Sequence, residues 1–175
     1  MINIKIPPNK NEKYIENFFV KKGLKFIVDQ SRRKPPKVNE MTVSSPYAPE
    51  LKDLYRLYQF VLLNKRTTIL EFGSGWSTLI FNLALKELKK KFFEKVKKLR
   101  RNNPFELFVL ENDKSYLNIT KKRINATNKN LNIKDTINIS YNYSEVEMTL
   151  FNNLISTQYK KLPLCNPDFI YLDGP

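Results

Sequence analysis

The stretch Thr67-Thr68-Ile69-Leu70-Glu71-Phe72-Gly73-Ser74-Gly75-Trp76-Ser77 constrains this chain more than any other. Its first five residues are a short β-branched and apolar run, which reads as a buried strand. Two glycines follow at once, and they let the backbone turn tightly and approach a ligand closely. From Ser77 the apolar residues Leu79, Ile80, Leu83, Ala84, Leu88, Phe92, Val96 and Leu99 recur at helical spacing. Asn102-Asn103-Pro104 is expected to end that helix. A strand, a glycine turn and a helix in direct succession open a parallel α/β unit, and such sheets bind ligands beyond the carboxyl ends of their strands.

The rest of the chain fits this start. A second strand is expected over Phe105 to Leu110, a helix over Ser115 to Asn128, a third strand over Thr136 to Tyr141 and a fourth over Asp168 to Leu172. Leu51, Leu54, Leu57, Tyr58, Val61 and Leu62 mark a helix that begins near Glu50, with Pro49 suited to its first turn. Glu145 to Tyr159 fits a hairpin turning at Asn152-Asn153 about as well as a helix, and the hairpin is preferred. Tyr14 to Asp29 is expected to form a helix followed by an extended piece, and Ser31 to Pro49 a basic, proline-containing linker. The order implies an α/β fold with a doubly wound, mainly parallel sheet and helices on both faces. Residues 1–49 then form an N-terminal helix and linker, and residues 50–175 the ligand-binding domain.

Composition narrows the chemistry. The 175 residues suit one domain with a real core. Histidine is absent, which removes the commonest general base at neutral pH, and with a single cysteine no Cys/His zinc site can form. No metal site is expected. Cys165 cannot form an internal disulfide. Met1 to Lys13 has no signal-peptide core, and no apolar run approaches the ~20 residues of a membrane helix. The setting is therefore read as cytoplasmic, without a membrane partner, and the Asn-x-Ser/Thr triplets at Asn118, Asn125, Asn138 and Asn142 as chance matches. The net charge of +14 admits two readings. One is a polyanion or nucleic-acid partner, with the basic residues between Lys86 and Arg101 as its footprint on the solvent face of the long helix. The other is compositional, since Lys, Asn and Ile are all heavily used.

Three acids stand where strands end. Glu71 precedes the glycine turn, where a carboxylate would repel the pyrophosphate of a dinucleotide and favour a cationic amino-acid end. The third glycine of the dinucleotide fingerprint is also missing, with Ser77 or Thr78 near that place. Glu111 closes the second strand and can accept hydrogen bonds from a ribose diol, with Asp113 as its alternative. Asp173 closes the fourth strand, where an acid can orient a substrate, act as a base, or only cap the loop.

The motifs EFGSGWST, FVLENDKSY and PDFIYLDGP resemble, in order, those of class I, Rossmann-like S-adenosylmethionine-dependent methyltransferases, from about Glu50 to Pro175. The resemblance implies S-adenosylmethionine as cofactor and methyl transfer to an O, N or C acceptor. It implies that Glu71, Gly73 and Gly75, with Ser74, Trp76 and Ser77 in the same loop, hold the methionine end. Glu111 would bind the ribose, the segment Asn142 to Ser144 (Tyr143 and Ser144 above all) would flank the adenine, and Asp173 would face the reaction centre as the catalytic candidate. Ser77 departs from the family's third glycine. The family's sheet has seven strands, so this chain is expected to hold a truncated version of it, inactive alone and prone to self-associate through the uncovered fourth strand. No N-P-P-Y-type loop of base amino-group methylases is present, and Cys165 precedes the fourth strand, unlike a cytosine-C5 nucleophile. The competing expectations are an NAD-dependent oxidoreductase on the same fold and a non-catalytic interaction module built on the basic helix.

Overall fold

The computed structural model describes residues 3–33, 47–133 and 136–174. Most of the expected linker, residues 34–46, lies outside them. Four parallel strands form the central sheet: β1 (Thr68–Phe72), β2 (Glu106–Glu111), β3 (Asn138–Tyr143) and β6 (Phe169–Leu172), in the order β3-β2-β1-β6. Helices α4 (Trp76–Lys97) and α5 (Lys114–Asn130) connect the first three strands. The chain then returns past β1 to place β6 on its other side. The winding direction thus reverses between β1 and β6, which is where a doubly wound sheet opens a crevice.

Register assigns each face. Glu71 sits beside Val109 on β2 and Tyr171 on β6, and Val109 beside Tyr141 on β3. On this face Phe81 of α4 meets the rings of Phe169 and Tyr171, Phe60 of α3 (Leu51–Leu63) meets Phe169, and Lys121 of α5 lies over Tyr141. Ile69, Leu107 and Val109 join Leu79, Ile80, Phe81 and Leu85 in one buried core, all at 0% exposure. Burying side chains of this size stabilises by about 1.5–3 kcal/mol each. The helices α1 (Glu12–Lys21) and α2 (Lys25–Ser31) form an outer layer against α3.

The expectation of helices on both faces is corrected. Among the described residues, every helix lies on the Glu71 face or outside it. The opposite face is met by the connection from β3 to β6, which is a hairpin of β4 (Val146–Phe151) and β5 (Leu154–Tyr159), with the Tyr159 ring 5.6 Å from that of Phe72. The preferred reading of this segment therefore holds. Asn152 and Asn153 both take the left-handed conformation (φ 50° and 62°) that a two-residue hairpin turn needs. The extended piece expected before Asp29 is instead α2. Gly23 (φ +74°) ends α1, and Leu24, Ile27 and Val28 then repeat at helical spacing into the core. Helix α4 stops at Lys97, before the expected Asn102-Asn103-Pro104, because Val96 is its last buried residue. No helix of the described residues is long and apolar enough to cross a membrane.

Candidate functional site

The tips of β1 and β6 pass in backbone contact. Gly73 has φ +92°, and a Cβ there would stand 2.9 Å from the Asp173 carbonyl carbon. A Cβ on Gly174 would stand 2.8 Å from the Gly73 nitrogen. Only glycine fits at either position. Gly75 is different: its backbone is extended, and nothing lies within 4 Å of where its Cβ would be. It caps α4, and its N–H donates to Thr78 Oγ1 at 3.0 Å. The open space beside Gly75 belongs to a cavity of about 530 Å³ above the strand tips.

The cavity is acidic within a basic chain. Glu50, Asp53, Glu111, Asp113 and Asp173 line it, and no lysine or arginine does so among the described residues. Glu111, buried at the end of β2, accepts from the Ser74 hydroxyl at 2.7 Å and from the N–H groups of Asn112 and Asp113 at 2.9 and 3.0 Å. Three donors on four lone-pair sites leave room for one more. Asp113 caps α5 by accepting from the Ser115 and Tyr116 N–H groups and the Ser115 hydroxyl, and these bonds hold its carboxyl below the usual range. It serves first as a cap, which leaves Glu111 as the cavity carboxylate with spare acceptor capacity. Asp173 is pushed up by burial and then by the charge of Asp53 across the cavity.

Glu71 stands elsewhere than its sequence position suggests. It is fully buried on the helix face of the sheet, outside the cavity lining, and accepts from the Ser77 hydroxyl. Burial pushes its carboxyl up to about 8, against the lowering effect of the Ser77 and Thr78 hydroxyls, and the charges of Asp173 and Glu111 add to the rise. Its Oε2 has no hydrogen-bond partner. At neutral pH Glu71 is therefore largely protonated, and the negative field in the cavity comes from the other acids.

The structure gathers Gly73, Ser74, Gly75, Trp76, Ser77, Glu111 and Asp173 around one cavity, and leaves Glu71, Tyr143 and Ser144 off its wall. Tyr143 is exposed, with Lys114 Nζ 4.6 Å above its ring. Ser144 is buried, and its hydroxyl accepts from Lys161 N–H at 2.9 Å and donates to the Glu145 carbonyl at 3.1 Å, so it ties the loop together. Sequence reasoning missed Glu50, Asp53, Tyr47 and Tyr116. Acids in the first turn of α3 look like ordinary partners of a helix dipole, and only the packing of α3 on α4 brings them to the strand tips. Trp76 walls the cavity with its Nε1–H bonded to the Tyr47 carbonyl at 2.9 Å, and the Arg123 guanidinium stacks on its ring at 3.8 Å. Compared with protein-family models, curated proteins and solved structures, the chain matches none.

Proposed function

We propose that the cavity binds S-adenosylmethionine and that the protein takes part in methyl transfer to an O, N or C acceptor. One observation carries this reading: a crevice at the switch point of a parallel sheet is lined by five carboxylates and, among the described residues, by no cationic side chain. A dinucleotide would bring a pyrophosphate into that field, and the mutual repulsion weighs against the oxidoreductase alternative. A sulfonium and an ammonium are instead attracted to it. The open space at Gly75 supports the fit, because a ligand can lie flat against the backbone there.

In this reading the spare acceptor capacity of Glu111 takes a ribose hydroxyl, and the N-terminal end of α4 meets the carboxylate of the amino-acid moiety. When bound, the cofactor supplies an electrophilic methyl group on its sulfonium. The chain's part is to hold donor and acceptor in line, a positioning effect that can account for much of a methyl-transfer barrier. Asp173, near Asp53 and raised above its ordinary value, is suited to hold or accept the acceptor's proton.

Isothermal calorimetry with S-adenosylhomocysteine, S-adenosylmethionine and NAD tests the reading. The two sulfur ligands are expected to bind and NAD not to. Glu111→Ala is expected to weaken binding about tenfold or more, by the ~1.5–3 kcal/mol of a hydrogen bond to a charged group. Gly75→Leu fills the open space without touching the core, so it should abolish binding; the poorer α4 cap costs about 1 kcal/mol of stability, and circular dichroism should still show a folded protein. Absence of binding by the wild-type chain, or preference for NAD, would sink the proposal.

A further inference from the structure

A second cavity, of about 940 Å³, lies on the helix layer between α1, α4 and the end of α5. Five lysines line it (Lys22, Lys86, Lys89, Lys90 and Lys91) with one acid, Glu87. That acid is already shared: Lys22 Nζ and Lys91 Nζ bond it at 2.9 and 2.6 Å, and the Tyr58 hydroxyl donates to it as well. Lys86 does not belong to the solvent face, where its sequence position puts it. It is half-buried, and its ammonium donates to a neutral acceptor, the Asn128 side-chain oxygen, at 2.5 Å. Burial lowers its pKa to about 8. A desolvated ammonium held by a neutral amide gains from any anion that reaches it.

We infer that this lysine-lined groove binds the phosphate backbone of a single-stranded nucleic acid. Lys86 and Lys90 are one turn apart on α4, about 6 Å along its axis, so they present a row of charges rather than a single point. The groove is concave and larger than the acidic cavity, which suits a strand entering it. Its aromatic wall residue, Tyr58, is buried and bonded to Glu87, so no ring is offered for base stacking, and binding should be indifferent to sequence. The inference stands apart from the methyl-donor reading. It needs neither the glycine turn nor the cavity acids, and Lys86 is ten residues along α4 from Trp76, about 15 Å away.

The test is fluorescence anisotropy of a labelled RNA of about twelve nucleotides across a salt series, with unlabelled DNA and short-chain inorganic polyphosphate as competitors. The wild type is expected to bind, with both nucleic acids competing. The double variant Lys86→Gln/Lys90→Gln should bind about tenfold more weakly, with its salt slope reduced by about 1.4, the counterion release of two single-strand phosphate contacts. Lys90→Glu, at an exposed position that leaves the core untouched, should weaken binding as well. Lys97→Gln/Lys98→Gln removes the same charge from the exposed end of α4 and its cap, and should stay within about twofold of wild type. Equal losses from the two double variants would mean that binding follows net charge alone and would overturn the inference. Absence of binding, or competition by polyphosphate but not by DNA, would overturn it too.

Discussion

Glu71 shows how far a residue's meaning depends on where its side chain goes. The carboxyl is buried on the helix face, and its folded value of about 8 lies well above that of an unfolded chain. The sign follows from proton counting. Between about pH 4.5 and 8 the folded state keeps a proton that the unfolded state has released, so stability falls as pH rises through that window. Below it both states are protonated and the penalty vanishes. Glu71→Gln, which cannot ionise, should flatten this slope and raise the melting temperature near pH 8 by several degrees, read from thermal unfolding of both proteins across pH. A Glu71→Gln profile parallel to that of the wild type would show that Glu71 is ionised in the folded state.

At the scale of elements, β6 owes its place to α4. Phe81 is fully buried and meets both Phe169 and Tyr171, the two β6 residues on the helix face. At the other end of the strand pairing, Asp168 accepts from the N–H groups of Thr67 and Thr68 at 3.0 Å and pairs with Arg101 at 2.7 Å. Phe81→Ala should cost about 3–5 kcal/mol in chemical denaturation, and hydrogen exchange should quicken in β6 before β2. A uniform change across the sheet would count against this account. The elements themselves were legible because their signals are local: TTILE before Gly73, the apolar spacing along α3 and α4, the paired asparagines of the hairpin. Long-range placement was not. Nothing in a string of letters says that Asp53 in α3 and Asp173 after β6 share a cavity, or that Glu71 turns away from it. The paired asparagines likewise announce the hairpin but not that its Tyr159 ring comes to rest beside Phe72 on the sheet.

The whole molecule separates its charges and its apolar surface. Acids gather at the strand tips, while lysines gather along the middle of α4. The hairpin exposes Met148, Leu150 and Ile155 on one face, each more than 70% accessible, and edge strand β6 adds Ile170 and Leu172. A patch of this kind next to a strand edge that is unpaired among the described residues favours association. Sedimentation velocity should therefore reveal concentration-dependent oligomers, reduced by Leu150→Lys/Ile155→Lys. A single species that ignores concentration would contradict that expectation.

Trp76 has a practical consequence. It is the chain's single tryptophan, and it stands between the acidic cavity on one side and Arg123 on the other. The indole emission of the protein therefore arises at one wall of the crevice. A molecule entering there would change the colour or brightness of that light without any label, and the rate of its arrival could be followed by rapid mixing.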